Sequence, residues 1–483
     1  MKTQVLVIGS GAGGSVTALE LARAGVDVTI LEEGRRHDRA TEYGTSSTEG
    51  MKRLYRRRGM TPIFGSVPLG YVEGSCVGGS TEINSGFWHR TPREVLARWQ
   101  AQFDLDGATV EELAPHFQHA EELVGVGLSG RPWPKSTAVF ARGAEAMGWA
   151  SQEVPRAATN CKDTNMCAAG CPTGAKQGMS ISVLPRAEEA GARLLTGARV
   201  KLLVKKGSRI TGVLAEVTLD DGARKLVRID ADHVFVCAGP TETPSLLRRT
   251  GIKFHVGDTL RIHPMLKVVA RFKEPIRAYD SVLPILQVRE FWPEVSMGGA
   301  FFTHGHAAMS LSDNWDAARM RHIDEMAGYY VAVRGRGRGQ VRPSVLGDDA
   351  TLLRYELAEE DVVNLSNGLA RLATLLLAAG AVEVYPTVQG MAPIRSEREA
   401  IRWLDDRLPR SALSLTTVHA FSTCPIGERA DKCAASSYGK IARWDNLYVN
   451  DASILPDSPG VNPQGSVMAF ARRNVLHFLS TLS

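Results

Sequence analysis

"VLVIGSGAGGSVTALELA", residues 5–22, is the stretch that decides the fold of this 483-residue chain. Apolar residues predict a short buried strand, a glycine-rich turn follows, and apolar residues at helical spacing then predict a helix. Gly9, Gly11 and Gly14 have the spacing G-x-G-x-x-G, which permits a tight turn, close approach of the backbone to a pyrophosphate, and close helix–strand packing. The free N–H groups at the helix N-terminus favour phosphate there.

A second predicted strand, "DVTILEE", ends at Glu32, about twenty residues beyond the turn. An acid at this position can bind the two hydroxyls of a ribose. Strand, helix, strand and acid therefore predict a dinucleotide-binding βαβ unit, although this motif does not separate FAD from NAD.

The composition argues against a nucleic-acid-binding or membrane protein. The chain is 44% hydrophobic and 23% charged, and its net charge is +5, so we expect a soluble globular protein with no need of nucleic acid or an anionic membrane. The sequence contains no run of about eighteen apolar residues, so we expect no membrane-spanning helix. No secretory leader is visible before the first strand, which favours a cytoplasmic location.

Three further stretches extend the pattern. They are "CVGGSTEINSGFWHRTP" (76–92), "VFVCAGPTETPSLLRRTGI" (234–252), and "VHAFSTCPIG" (418–427) followed by "DNLYVNDASILPDSPGVNPQGSVMAFARRN" (445–474). With them the chain resembles, over nearly its whole length, the glucose-methanol-choline (GMC) family of FAD oxidoreductases. The resemblance implies a mixed α/β and α+β fold. A Rossmann-like FAD-binding domain, as in p-hydroxybenzoate hydroxylase, is interrupted by a substrate domain whose antiparallel sheet is backed by helices.

The resemblance also implies domain boundaries and cofactor contacts. We expect the FAD-binding domain at 1–100, 176–254 and 417–483, a cap segment with clustered cysteines at 101–175, and the substrate domain at 255–416. FAD should be non-covalent, because Glu82-Ile83-Asn84 stands where some members carry a linking His. The expected cofactor-binding residues are Gly9, Gly11, Gly14, Glu32, Gly78, Gly79, Ser80, Asn84, Val200, Asp451 and Ala452.

The catalytic pair implied by the resemblance is His419 and Asn462. A His of near-neutral pKa can accept the hydroxyl proton of an alcohol while the carbinol hydride leaves. An amide can hydrogen-bond the developing alkoxide. His263 and His89 are weaker candidates, the first more structural and the second able to face substrate.

Cys161, Cys167 and Cys171 have the spacing C-x5-C-x3-C and are followed by Pro172. Short spacing lets thiolates converge, and Pro after a ligand Cys is familiar from iron–sulfur proteins. Structural thiols, a disulfide or another metal stay open. The stretch resembles the iron–sulfur-bearing subunit of bacterial FAD sugar dehydrogenases, which implies a cluster of the 3Fe–4S type. It also shares "GC-x-x-G-x-K" with the long-chain alcohol oxidases.

These expectations define a dehydrogenase of a sugar or other alcohol, with electrons leaving through the cluster to an external acceptor. The resemblance implies a redox partner, a small accessory subunit with a cytochrome or quinone, and co-export with it would give a periplasmic location. An alcohol oxidase without a cluster, a FAD-bearing lyase and a non-catalytic electron carrier are the alternatives. Trp88, Trp292 and Trp315 could stack on a sugar, although packing is their commoner role.

Overall fold

The computed structural model describes residues 1–44, 46–219, 221–312, 317–345 and 350–482. The opening strand–turn–helix–strand consists of β1 (Lys2–Ile8), α1 (Ala12–Arg23) and β2 (Val28–Leu31). β1 and β2 pair in parallel, as a helical crossover requires. Successive β1 side chains point to opposite faces, so Val7 packs with α1 while Ile8 packs in the core on the other side.

Seven strands of the described residues form the first sheet, in the order β8-β2-β1-β11-β10-β9, with β22 beside β11. The strands on the β22, β11, β1, β2, β8 side are parallel, and β9, β10 and β11 are antiparallel. The remaining members are β8 (Arg193–Leu195), β9 (Ala198–Lys206), β10 (Arg209–Thr218), β11 (Arg224–Val236) and β22 (Leu447–Val449).

The second sheet is larger and mainly antiparallel, in the order β17-β18-β3-β4-β20-β13-β16-β15-β14-β6, with β19 beside β13. Its strands are β3 (Thr61–Phe64), β4 (Leu69–Tyr71), β6 (Ser151–Glu153), β13 (Met265–Phe272), β14 (Leu286–Val288), β15 (Val295–Gly299), β16 (Met326–Val333), β17 (Arg338–Pro343), β18 (Thr351–Glu356), β19 (Ala381–Pro386) and β20 (Leu415–Thr417). Two short ladders pair β5 (Val126–Gly127) with β7 (Arg156–Ala157), and β12 (Arg261–Ile262) with β21 (Ala420–Phe421).

Helices cover both sheets. They are α2 (Arg39–Glu42), α3 (Ser47–Leu54), α4 (Arg93–Phe103), α5 (Val110–Leu123), α6 (Lys135–Ala146), α7 (Leu184–Glu189), α8 (Gly239–Arg249), α9 (His304–Ser310), α10 (Glu359–Ala378), α11 (Glu397–Ile401) and α12 (Gln464–Leu482). α12 packs on α1 and α5, and α10 packs on β16 and β19 through Leu365, Leu369 and Leu372. In the described part of the chain, no helix is both long and apolar enough to cross a membrane.

The fold class expected from the sequence is confirmed: a Rossmann-like layer and a helix-backed antiparallel sheet. The domain boundaries stay a prediction. β3 and β4 lie within the range 1–100 that was assigned to the FAD-binding domain, yet they pair in the second sheet. Because β3 and β4 join the second sheet, an edge of that sheet lines the same cavity as the glycine-rich turn.

Candidate active site

The glycine-rich turn lies at the carboxyl end of β1. Gly9 has a φ of +105°, which disfavours a side chain, and a Cβ there would clash with the carbonyl of Cys237. A Cβ at Gly14 would clash with the carbonyl of Gly9, so this glycine allows the helix to approach the turn. Gly11 precedes α1, which lacks a side-chain N-cap, and a Cβ at Gly11 would meet nothing within 4 Å. The turn thus presents unpaired N–H groups to open space.

That open space is one cavity of about 820 Å³ between the two sheets. Gly9 and Gly11 line one end of the cavity, and His419 and Asn462 line another part of it. A glycine-rich turn whose backbone N–H groups face a cavity of this volume fits the pyrophosphate of a dinucleotide. The predicted cofactor residues at its wall are Gly9, Gly11, Glu32, Gly79, Ser80, Asn84, Val200, Asp451 and Ala452, whereas Gly14 and Gly78 lie behind it.

Glu32 follows β2 and is buried. Its carboxylate accepts hydrogen bonds from the Ser10 N–H at 2.9 Å, the Ser10 hydroxyl at 2.7 Å and the Gly34 N–H at 2.8 Å. Burial raises the pKa of Glu32, and neighbouring Glu33 acts in the same direction. Glu32 therefore braces the turn as well as lining the cavity, where an acid can bind ribose hydroxyls.

The "GGSTEIN" loop lies against the turn. The Gly78 N–H donates to the Ser10 hydroxyl at 3.0 Å, which explains why Gly78 lies behind the cavity wall. The Ser80 hydroxyl accepts from the Gly74 N–H at 2.9 Å. The Asn84 amide donates to Gln464 at 2.7 Å, linking this loop to the start of α12.

Asp451 follows β22 and is buried at the cavity wall. Its carboxylate accepts from the Gly239 N–H at 2.8 Å, the Thr243 hydroxyl at 2.5 Å and the Ser453 N–H at 2.8 Å. Burial raises the pKa of Asp451, and these hydrogen bonds oppose the rise. In this structure Asp451 ties the start of α8 to the segment after β22 and leaves the adjacent backbone, at Ala452, facing the cavity.

The sequence did not indicate an ionic cluster at the same end of the cavity. Arg56 pairs with Glu33, and its Nε lies 2.6 Å from Glu73. Arg199 bridges Glu33 at 3.5 Å and Glu242 at 3.4 Å. Burial would raise the pKa of Glu33, but Arg56 and Arg199 lower it to about 2. Arg56 lies in the basic stretch "KRLYRRRG" (52–59), and only the fold reveals that it is half-buried among acids.

His419 and Asn462 meet in the cavity although 43 residues separate them along the chain. His419 follows β20, and its Nε2 lies 3.4 Å from the Asn462 amide nitrogen. Burial lowers the pKa of His419 to about 3, and His89 acts in the same direction. This differs from the near-neutral pKa expected from the sequence: burial makes His419 a weaker base, which is neutral at physiological pH and holds one nitrogen lone pair.

His263 determines which nitrogen of His419 carries the proton. Its Nε2 accepts from the Gly460 N–H at 3.2 Å, and its Nδ1 lies 3.0 Å from Nδ1 of His419. If both contacts are hydrogen bonds, neutral His263 donates from Nδ1, and the proton of His419 lies on Nε2, facing Asn462. To accept a proton at Nε2, His419 must instead donate from Nδ1 to His263, which then holds its own proton on Nε2.

Further polar side chains line the same cavity, in a part of the chain that contains no recognisable motif. His89 is half-buried at its wall, and its Nδ1 has no partner among the described residues. Desolvation lowers its pKa to about 4. Lys267, Gln287 and Tyr330 project from the second sheet. Trp292 lines the cavity, and Trp315 lies outside the described residues.

Trp88 is buried beside the start of α12. Its indole N–H donates to Glu121 at 3.0 Å. It packs in the core against Ala120 and Met468 rather than lining the cavity. Trp88 thus has the packing role that the sequence favoured for it.

The three clustered cysteines are free thiols around a separate cavity of about 10 Å³. The Arg156 guanidinium spans two of them, with one nitrogen 3.9 Å from the sulfur of Cys161 and another 3.4 Å from that of Cys167. The Lys176 N–H donates to the sulfur of Cys171 at 3.3 Å. Burial raises the pKa of the Cys167 thiol, and Arg156 opposes the rise.

A metal does not fit these thiols as they are arranged. In the described ranges no group of three or more His, Cys, Asp or Glu side chains is placed to hold a metal ion. The cavity has room for about one water molecule, and a guanidinium lies against two of the sulfurs. A cluster would require Arg156 to move away.

The cysteine segment is joined to the "GGSTEIN" loop by a buried cation. The Lys176 ammonium donates to the carbonyls of Glu82 at 2.6 Å, Asn84 at 2.8 Å and Cys167 at 2.7 Å. Burial lowers the pKa of Lys176. Ala168, next to Cys167, lines the main cavity, so the segment borders the active site whatever its thiols bind.

A βαβ turn, an acid after the second strand and a His–Asn pair in one cavity define a dinucleotide-dependent oxidoreductase. Family models described as GMC oxidoreductase match residues 4–265 and 336–471. The chain therefore belongs to the GMC oxidoreductase family, whose members bind FAD.

Individual relatives agree. An uncharacterized GMC-type oxidoreductase, y4nJ of Sinorhizobium fredii, is 39% identical, with 98% of this chain and 94% of the relative covered. Long-chain-alcohol oxidase FAO3 of Arabidopsis thaliana is 26% identical, with 98% and 67% covered. The crystal structure of pyridoxine 4-oxidase from Mesorbium loti matches with a TM-score of 0.71 at 18% identity, covering 99% of both chains, and supports the fold.

Proposed function

We propose that this protein oxidises a CH–OH group of a small-molecule alcohol, with His419 as the base and Asn462 as the hydrogen-bond donor to the carbinol oxygen. The observation that carries the proposal is the convergence of His419 and Asn462 in the cavity that begins at the glycine-rich turn. Bound FAD supplies the two-electron acceptor for the carbinol hydride.

The protein's own residues handle the oxygen and the proton. Asn462 donates a hydrogen bond to the carbinol oxygen and favours its negative charge. His419 takes the hydroxyl proton at Nε2 in the tautomer that donates from Nδ1 to His263. His263 is thus a positioning residue, since its own proton must lie on Nε2 for His419 to act as base.

FAD fits the residues that line the other end of the cavity. Gly9, Gly11 and the N-terminus of α1 would hold the pyrophosphate, and Glu32 the ribose. Gly79, Ser80, Asn84 and Ala452 would lie along the flavin. No His occurs at Glu82-Ile83-Asn84, which supports non-covalent attachment.

The experiment is a screen of primary alcohols, secondary alcohols, sterols and sugars with an artificial electron acceptor and, separately, with O₂. Acceptor reduction that depends on an alcohol supports the proposal. Full FAD occupancy without turnover of any alcohol, combined with cleavage of a hydroxynitrile, would replace it with the lyase. Stoichiometric peroxide with O₂ would identify an oxidase, as the name of the FAO3 relative suggests.

The iron–sulfur relay, its external acceptor and an accessory subunit stay predictions. Their support is that three thiols border one cavity adjacent to the active site. Against them stand the small cavity and the contacts of Arg156, so no electron step is assigned to Cys161, Cys167 or Cys171. Iron and acid-labile sulfide per flavin in protein purified without air decide the question. About three or four irons per flavin would establish the cluster, and none would leave three structural thiols.

A further inference from the structure

Lys267 occupies an unusual position in the wall of the cavity. Along β13 the side chains of Leu266 and Val268 are buried in the core, whereas Met265 and Lys267 line the cavity. Across the sheet Lys267 is opposite Tyr330 of β16. Further along the same row is Gln287 of β14, whose amide donates to the Tyr330 hydroxyl at 2.6 Å.

The Lys267 ammonium has no hydrogen-bond or ion-pair partner among the described residues. Burial lowers the pKa of Lys267, and no charged neighbour contributes to the shift. The acids that line the cavity all lie at its cofactor end; they are Glu32, Glu33, Glu73, Glu242 and Asp451. Removing an ammonium from water is costly unless an anion compensates. Lys267 is half-buried, and the described residues supply no such anion to it.

Among the residues that the structure describes, the surroundings of Lys267 offer no anion. His306, on α9, lines the cavity, and burial lowers its pKa to about 4, with Lys267 acting in the same direction. Thr387, whose N–H donates to the backbone carbonyl of Lys267 at 3.0 Å, adds only neutral polarity. The local field is therefore positive and suited to a negatively charged group of a ligand.

The strand register places this cation within reach of the carbinol site. Met265 pairs with Thr416 of β20, and the next residue, Thr417, accepts from the His419 N–H at 3.2 Å. Lys267 is two residues beyond Met265, about 7 Å along the strand. A ligand that spans the two points passes Met265, so its two polar ends would be joined by an apolar segment.

We propose that Lys267 binds a carboxylate on the substrate, so that the preferred substrates are hydroxy acids whose hydroxyl and carboxylate are separated by a short apolar chain. This inference rests on the proposed oxidation of a CH–OH group at His419. It narrows the substrate class from any alcohol to an anionic one.

The test compares ω-hydroxy carboxylic acids of increasing chain length with their methyl esters. The readouts are kcat/KM with an artificial acceptor and the rate of flavin bleaching without air. We expect the kcat/KM of the acid to exceed that of its ester by about 10- to 100-fold at the best length, because a hydrogen bond between two charged groups is stronger than one to a neutral ester. Equal values for acid and ester at every length in the wild type would overturn the proposal, independently of any variant.

Two variants connect the preference to the side chain. K267M keeps the length of the side chain without its charge, and K267R keeps the charge. K267M should abolish the preference for the acid, so that acid and ester react with similar kcat/KM, and K267R should retain most of the preference. If K267M lowers acid and ester equally, or leaves the acid preference intact, Lys267 does not bind the carboxylate and is instead a solvated or cavity-shaping residue.

A binding readout separates this inference from the proposed function. Calorimetry measures straight-chain carboxylates, which lack a hydroxyl, against alcohols of the same length. The carboxylate should bind more tightly to the wild type than to K267M by the same factor as in turnover, and equal affinities would count against the proposal. If neutral alcohols bleach the flavin but acids gain nothing, this inference alone fails. If no alcohol bleaches the flavin, the proposed function fails.

Discussion

Two parts of the cavity differ in how their polar groups are satisfied. The cofactor half is the end at the glycine-rich turn, proposed to hold FAD, and the substrate half is the end around His419 and Lys267, proposed to hold the alcohol. In the cofactor half, Glu32 and Asp451 accept hydrogen bonds from the protein itself, and Arg56 lies among acids. In the substrate half, Lys267 has no counterion and His89 has an unpaired nitrogen among the described residues. In the first half the buried carboxylates are satisfied by the protein, whereas the second half holds two side chains with a nitrogen for which the described residues supply no partner.

This contrast shows what the polar groups of an empty cavity reveal about the ligand that binds there. Satisfied buried polar groups fix loop positions and reveal the shape of what binds. Unsatisfied ones carry a free-energy cost that persists until a partner of complementary chemistry arrives. The predictions below break or sharpen that contrast, starting from the largest effect.

Replacing His419 should affect chemistry and leave the cofactor half intact. H419N should lower kcat/KM by about 10²- to 10⁴-fold, the usual contribution of a positioned base, with normal FAD content. H304N, on an exposed side chain of α9, is the matched control and should behave as wild type. Activity within a few-fold of wild type in H419N would remove His419 from the mechanism.

Adding a side chain at the glycine-rich turn should have the opposite effect, weakening the binding of FAD rather than the chemical step. G11A adds a methyl group that meets no protein atom within 4 Å, so the fold should be retained while the space for pyrophosphate shrinks. We expect FAD affinity to fall by about ten-fold or more, equivalent to about 1.4 kcal/mol. Flavin absorbance after gel filtration and reconstitution titrations measure it. G59A, which also meets nothing within 4 Å, is the control, and unchanged FAD affinity in G11A would displace the pyrophosphate from this turn.

His263 should act through His419 rather than on substrate. H263A removes the partner that must accept the Nδ1 proton of His419, so we expect kcat to fall by about 10- to 100-fold with little change in KM. H263N, which can still accept a hydrogen bond, should recover part of the loss. A rise in KM with unchanged kcat would show that His263 contacts substrate instead.

The smallest effect concerns pH. Burial lowers the pKa of His419 to about 3, so its lone pair is present down to about pH 4. A base must be unprotonated, and kcat/KM should therefore show no fall through pH 6.5 as acid is added, down to about pH 5. A descending limb with a pKa near 6.5 that disappears in H419N would contradict the buried, neutral His419 described above.

Much of the cofactor half could be predicted from the sequence, because its function depends on local order. Gly9, Gly11 and Glu32 belong to one strand–turn–helix–strand unit whose geometry follows from spacing. The family resemblance pointed to His419 and Asn462, but their 3.4 Å approach is a fact of the fold alone.

The rest could not be predicted because it depends on strand register and long-range packing. Lys267 is an ordinary residue of a strand in the sequence, and only the pairing of β13 with β16 and β20 places it at the cavity wall. Arg156, between two thiols, likewise changes how the cysteine motif is interpreted. Spacing within a motif does not show which side chains from elsewhere enter it.

The most direct test of the central claim is anaerobic stopped-flow absorbance of the FAD-loaded enzyme mixed with an alcohol. The account predicts bleaching of the oxidised flavin in the wild type, slowed by orders of magnitude in H419N at equal flavin content. Flavin that stays oxidised with every alcohol yet is reduced by light, or equal bleaching rates in the two proteins, would contradict it.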